Sequence, residues 1–572
     1  MPRLIRVKSL SQTCLEFVIN NMAVLCENLT SDLPTTISNQ SSHSPFDQLP
    51  SKFLEEIISA LQTKKCLKQF LGLLVAPQLQ TLDLRYLSKE DNCTDLELNL
   101  LRCIYLKNLS LRWSSLCNDK FLSSVIPMFV KLQVLDISNS AAGDSSLEVI
   151  GTYCTDLREL EFMNCKNITD IGVKGLCVSS TTHNLGREGD KLGLHKSLLK
   201  LGSFGTEITN AGIQLGLETF RSLQVWDLVT VQILAKIHTE NFLNPSPEIP
   251  KYSLMNLEIA LLGIHYVPKT FGFVLSLCPF VIEVEINTFN RLTDSDLLSL
   301  LSLEKLRKLK LVGYFRENSS VTFGGGVTPI LKAFGNSSLK ALSLSKLPDV
   351  NIMVIAQLCP NLHSLDLFDN LSYSNKKLNE EWFKIEPQVL KQLEKLRLSV
   401  EKSSITIPRE HFILLLSGPS LVDIDIGSFC PLNDGVLQEV VRVQKFHRLE
   451  NLTVTECHNV TEKGIDIFMN AQNPLKKIAL HWCRKITKKN VEYWEKQAKM
   501  NNWQILIEFE EDVEEDYSED EDAEDVLARM QYEYGLPDYI VNSEWCKDLM
   551  AIATHGCEDW EEFLDDDDED EF

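Results

Sequence analysis

Apolar positions along this chain fall repeatedly into the phrase apolar-x-x-apolar-x-apolar, fifteen times between residues 79 and 480, once with Ser203 as its last letter. The phrases begin at Leu79, Leu106, Leu132, Leu157, Leu198, Leu223, Leu254, Val281, Leu306, Leu339, Leu362, Leu393, Leu421, Leu449 and Leu475, mostly 25 to 28 residues apart. In Leu82-Asp83-Leu84 or Leu309-Lys310-Leu311 apolar and polar residues alternate, which predicts a short strand with leucines inward and the residue between them outward. One such unit cannot bury its apolar side alone, so copies must stack, and the outward positions then form one continuous surface. Several units carry a second half: Cys165 is followed by Ile168-Thr169-Asp170 and Val173, Cys457 by Val460-Thr461 and Gly464, and Cys483 by Ile486-Thr487. A Thr or Asp at that point can cap a helix on the outer side.

Phrase and period together predict an α/β fold, a leucine-rich repeat solenoid over residues 79–507. The second halves resemble the cysteine-containing leucine-rich repeats, which implies that the cysteine turns the chain out of the strand and the Thr-Asp pair starts the convex helix. A concave surface of this kind binds proteins more often than it performs chemistry. No G-x-S-x-G elbow or phosphate loop is present, and Gly324-Gly325-Gly326, with no following Lys, reads as a turn or repeat insertion. His447, His458 and His481 lack metal spacing and no CxxC pair occurs, so an enzyme, a metal and a cofactor are all unexpected.

Charge changes the picture only once it is divided. The net charge is −24, but residues 508–572 hold 28 acidic and two basic residues, leaving 54 basic against 52 acidic in residues 1–507. A nearly neutral solenoid therefore carries an acidic tail, predicted to be disordered and to disfavour nucleic acid. Within the tail lies a less polar stretch with Tyr532, Tyr534, Leu536, Tyr539, Trp545, Trp560 and Phe563, either a docking segment or a cap on the last repeat. The 16 cysteines are scattered, and Cys165, Cys457 and Cys483 read as reduced core residues. The opening residues run into polar sequence and no apolar run could span a bilayer, so no membrane contact and a cytoplasmic or nuclear location are expected.

Ahead of the repeats, Leu10, Cys14 and Val18 stand four residues apart and predict an apolar stripe on a helix within residues 1–30. Such a helix would serve equally to cap the open end of the solenoid. A polar linker, residues 31–45, leads to a second predicted helix within residues 46–78, opened by Leu49-Pro50, where Pro in the first turn is also an ordinary helix start. The first stripe resembles the BC-box with which substrate receptors bind elongin C, with Ser9, Leu10, Cys14 and Val18 in the specified positions. Leu49, Pro50, Phe53 and Ile57 resemble the cullin-2 box that follows it. BC-box, linker, cullin box and leucine-rich repeats, in that order, resemble the zyg family of substrate receptors of elongin BC/cullin-2 ubiquitin ligases. The resemblance implies elongin B/C and cullin-2 as partners and a protein substrate held by the repeats. It departs from that family in lacking the armadillo-like domain, so recognition of substrate termini does not carry over.

Two other readings stand beside it. The Leu49–Pro50 segment also resembles an F-box opening, which would bring a Skp-type adaptor and its cullin, although residues 65–74 lack the Trp such a box carries. A ligase-independent scaffold is the third. On the concave face the mid-strand outward residue is acidic at Asp83, Asp136, Glu161, Asp227, Glu258, Glu285, Asp366 and Asp425. This serves solubility or attracts a basic partner segment.

Overall fold

Every one of the fifteen phrases forms a strand, because the spacing that buries its three apolar residues also brings neighbouring backbones into register. Leu79, Leu82 and Leu84 are 1% exposed or less, and Leu82 stands opposite Leu109, Leu109's repeat opposite Leu135, and so on down the array. The computed structural model describes residues 9–25, 46–85, 97–98, 100–182, 194–243, 249–260, 269–287, 292–313, 320–374, 390–400, 405–428, 430–470 and 474–511. Within them the strands are parallel and in sequence order, but they form two sheets. The first holds Thr81–Asp83, Asn108–Ser110, Val134–Asp136, Glu159–Glu161, Lys200–Gly202 and Val225–Trp226; the second runs through ten strands from Asn256–Ala260 to Leu506–Glu510. This is a leucine-rich repeat solenoid, with helices on the outer side and one continuous apolar core between.

The last strand was not expected. Its register, Lys477 opposite Leu506, puts Gln504 where a phrase should begin with an apolar residue, so the pattern is broken at its first letter. The boundary at residue 507, drawn from charge, falls inside this strand: Glu508 pairs with Lys477 at 2.6 Å, and Glu510 lies 3.2 Å from His481 Nδ1. The compact unit that carries the repeats runs to Glu511. The acidic blocks beyond it, with the aromatic segment, lie outside the described residues, as do Gly186–Asp190 of the longest insertion.

Two ladders join successive repeats. The cysteine at the strand exit donates its thiol to a carbonyl of the repeat before: Cys165 to Ile137 at 3.3 Å, Cys483 to Val454 at 3.6 Å and Cys457 to Ile426 at 3.8 Å. Burial pushes the Cys165 and Cys457 thiols up, keeping them protonated and able to donate. Asn370 does the same work in its repeat, with Nδ2 3.0 Å from Leu344 O. The described cysteines form no disulfide with one another.

The second ladder runs along the helix starts. Asp144, in the first turn of its helix, accepts hydrogen bonds from the Thr169 N–H (2.7 Å), the Thr169 hydroxyl (2.9 Å) and the Gly172 N–H (2.9 Å) of the next repeat. Asp170 holds Thr209, Asp294 holds Thr322 and Asp434 holds Thr461 in the same way. A carboxylate thus satisfies helix N-terminal donors that the helix cannot satisfy itself. It comes so close that a Cβ on Gly172 would sit 2.5 Å from Asp144 Oδ1, and one on Gly212 2.2 Å from Asp170 Oδ1. Gly325 and Gly326 leave the corresponding room for Asp294, which accounts for two of the three glycines in the wide opening turn Phe323–Val327, while a Cβ on Gly324 would meet nothing within 4 Å.

Two expectations follow. Asp144→Ala should cost about 1–2 kcal/mol in chemical denaturation, the range of a lost N-cap, and Gly172→Ala should destabilise the same repeat despite its better helix propensity. The second concerns pH. His411 is buried, and burial lowers its pKa against a smaller opposing effect of Glu410; His238, whose Nε2 lies 2.8 Å from the Tyr252 hydroxyl, is lowered chiefly by burial as well. The fold therefore stores the neutral imidazole, and the unfolded chain binds more protons below about pH 6.5. The contribution of these two imidazoles to stability should be full above that pH and fall as pH drops through it, and His411→Gln should raise the thermal midpoint at pH 5 relative to that at pH 7, compared with wild type.

Candidate functional site: an exposed helix and an acidic concave sheet

Ser9 starts the first helix, Leu10–Asn20, through a capping box: its hydroxyl accepts from the Gln12 N–H, while the Gln12 side chain accepts from the Ser9 N–H. Leu15, Val18 and Ile19 lean on the core, Met22 beyond them is buried, and Lys64 Nζ reaches Asn20 Oδ1 at 2.6 Å. The opposite side is left in solvent, with Leu10 80% and Phe17 60% exposed and Cys14 exposed beside them. Of the four BC-box positions, Ser9 shapes the helix, Leu10 and Cys14 face outward, and Val18 is half-buried.

The second helix, Ser51–Thr63, is the end piece of the solenoid. Leu54, Ile57, Ile58 and Leu61 are buried against the repeats. Glu55 Oε1 accepts from the Gln80 N–H at 3.2 Å and the Thr81 N–H at 3.0 Å. In later repeats the equivalent amides bond to the Gln80-type carbonyl of a preceding strand, as Lys107 and Asn108 do to Gln80 O. Glu55 stands in for the strand that is missing. Ahead of the helix, Gln78 Nε2 bonds to the Asp47 and Leu49 carbonyls, and Arg102 pairs with Asp47 at 3.0 Å. Of the cullin-box-like positions, Pro50 is exposed, Leu49 and Phe53 are half-buried, and Ile57 is a core residue at 1% exposure. Ile57 anchors the helix to its own repeats and is not presented to a partner.

Seven of the eight outward carboxylates hold the central outward position in a paired strand and Asp227 follows Val225–Trp226, across two sheets, and cations sit among them. Lys200 Nζ is 2.6 Å from Glu161, Arg85 is 2.7 Å from Asp83, Arg112 is 3.4 Å from Asp136, and Lys310 pairs with Glu285. Burial raises the pKa of Asp136, and the Glu161 charge adds to it. Asp366 and Asp425 are raised by burial too, against the lowering field of Arg397, whose Nε is 3.4 Å from Asp425. Asp227 is held differently: its carboxylate accepts from the Ser203 and Phe204 N–H groups at 2.8 Å and from the Ser203 hydroxyl. Beside it, where the two sheets part, a cleft of about 170 Å³ opens between the Val225–Trp226 and Asn256–Ala260 strands. Asp227, Glu258, Glu283, Glu285 and Lys308 line it. Phrase spacing alone hid the break, since the phrases at Leu223 and Leu254 are both intact.

Among the described residues no three His, Cys, Asp or Glu side chains are placed to hold a metal ion, and no helix is long and apolar enough to cross a membrane. No protein-family model matches the chain. Solved structures similar to it include the yeast Rad7 and Elc1 complex, at TM-score 0.41 and 16% identity over 82% of this chain and 98% of that one. Another is a leucine-rich repeat protein of Leptospira interrogans, at TM-score 0.37 and 17% identity over 85% of this chain and 98% of that one. Both are likenesses of fold.

The two N-terminal helices should separate on mutation. Ile57→Ala should cost about 2–5 kcal/mol as a core deletion, whereas Leu10→Ala should leave the denaturation midpoint unchanged, because its side chain has little burial to lose.

Proposed function

We propose that this chain is a substrate-recognition subunit of a cullin-RING ubiquitin ligase, docking on elongin C through the Leu10–Asn20 helix and holding a protein substrate on its repeats. The observation that carries the reading is Leu10: an apolar residue 80% exposed on a helix fixed at both ends, with Cys14 and Phe17 exposed on the same side. A leucine so placed is an anchor awaiting a pocket, and a small side chain one turn on permits close helix approach. Elongin B and a cullin of the cullin-2 type would complete the assembly, with Pro50 and Phe53 the pattern residues still open to contact. The chain's part in ubiquitin transfer is then positional, the nucleophiles belonging to other subunits, and its place of action is the cytoplasm or nucleus.

The F-box alternative would seat a Skp-type adaptor on the segment from Leu49 to Leu61. There the apolar residues Leu54, Ile57, Ile58 and Leu61 are already spent on the chain's own core, which favours the first helix as the adaptor site. Co-purification from cells expressing the tagged full chain tests the reading. Elongin C should be recovered with wild type and lost with Leu10→Ala/Cys14→Phe, at an unchanged thermal midpoint. Recovery of a Skp-type adaptor in place of elongin C would overturn it, as would equal elongin recovery with the double variant.

A further inference from the structure

The central outward position of the concave sheet changes character half-way along the array. Through the first eight strands it reads Asp83, Ser110, Asp136, Glu161, Gly202, Asp227, Glu258 and Glu285, six carboxylates and no cation. Through the next eight it reads Lys310, Ser343, Asp366, Arg397, Asp425, Thr453, Ala479 and Glu508, with Arg397 in register between Asp366 and Asp425. The second half neutralises itself along the row. In the first half, countercharge comes from flanking positions, such as Lys200 and Arg112, except at its last strand, where Lys310 of the neighbouring strand pairs with Glu285.

The gap between the two sheets lies in this acidic half. Four carboxylates, from Asp227, Glu258, Glu283 and Glu285, meet one ammonium, Lys308, around a cleft whose walls include Val225, Val229, Leu257 and Val284. Two of the carboxylates are set in advance: Asp227 by two backbone N–H groups, and Glu258 by Asn287 Nδ2 at 2.8 Å. Exposed Phe204 stands beside Asp227. At about 170 Å³ the cleft is smaller than small-molecule sites, which run to about 300–1,000 Å³, and of the order of one long side chain. Apolar walls with acid at the rim suit the aliphatic stem and charged head of Lys or Arg. The carboxylates line the cleft without converging on a metal position.

We infer that the first eight strands form a docking surface for an extended, Lys- or Arg-containing segment of a partner protein, one basic side chain of which enters the cleft between the sheets. Under the receptor reading that segment belongs to the substrate. None of the surface residues lies in the N-terminal helices, so either idea can fail alone. Preset acids raise affinity by sparing the ordering cost at binding, and the excess of one sign speeds encounter and makes it salt-sensitive.

The test uses the full chain and a synthetic peptide of alternating lysine and glycine carrying one photo-crosslinking residue. Anisotropy titration should show at least tenfold weaker binding by Glu258→Gln/Glu283→Gln, and less dependence on salt, with little change for Asp366→Asn/Asp425→Asn. Cross-links should map to the strands from Val225 to Lys310. Leu10→Ala should bind peptide like wild type even if it loses elongin C. The inference is overturned if wild type does not bind the peptide, if both double variants weaken it equally, or if cross-links fall only on residues 512–572.

Discussion

Several outer helices of this solenoid depend on the repeat before them for their first turn. The carboxylate of Asp144, Asp170, Asp294 or Asp434 crosses to the next helix start and takes up the N–H and hydroxyl of a threonine that would otherwise need water. A carboxylate acceptor makes a stronger hydrogen bond than a neutral one, and at Thr169 and Thr461 the contact is partly buried as well. Because it spans two repeats, it converts a local capping preference into a stacking force. At two of these junctions, Asp144 to Thr169 and Asp434 to Thr461, the strand side adds a thiol-to-carbonyl contact, from Cys165 and Cys457, so that both faces of the repeat are tied to its predecessor. Stability in such an array spreads from neighbour to neighbour and has no single centre.

Periodic stacking also explains how charge comes to be organised. A residue at one letter of the phrase is always in register with the same letter of the next, so a preference at that letter writes a row across the sheet. Acid at successive repeats accumulates into a field, while an interposed Arg or Lys cancels it within one strand spacing. The two halves of the concave face differ in this one respect. The break between the sheets then turns a row of side chains into an indentation lined by Asp227, Glu258 and Glu283.

Fifteen of the described strands were legible because their apolar letters repeat at the inward sites, with Ser203 the one polar residue among them. The sixteenth was hidden by Gln504 alone, and with it the true extent of the repeats, since Glu508 and Glu510 counted as tail by charge. The cysteine letter could be read, but not that Asn370 performs the same donation, because function at that site is hydrogen-bond donation and not residue type. On the N-terminal side, an amphipathic stripe reads the same whether it will meet a partner or its own core. Leu10 turned out exposed and Ile57 buried, although both matched their patterns equally well. The cations at Lys200, Arg397 and Lys310 were visible as residues; their neutralising contacts depend on neighbours in adjacent strands, which no single phrase records.

Glu55 carries a consequence for the array as a linear polymer. By filling the two amides of the first strand with a side-chain carboxylate, it terminates that edge of the sheet in the way a chain stopper ends a growing strand. The far edge, at Leu506–Glu510, has no such stopper among the described residues and carries charged side chains, Glu508 and Glu510, which discourage edge pairing. The two ends are thus chemically unlike: one is closed by bonds already made, the other only discourages new ones. A solenoid built this way has a direction, and added or duplicated units can be accommodated at the Leu506–Glu510 end without disturbing the cap on which the first repeats are founded.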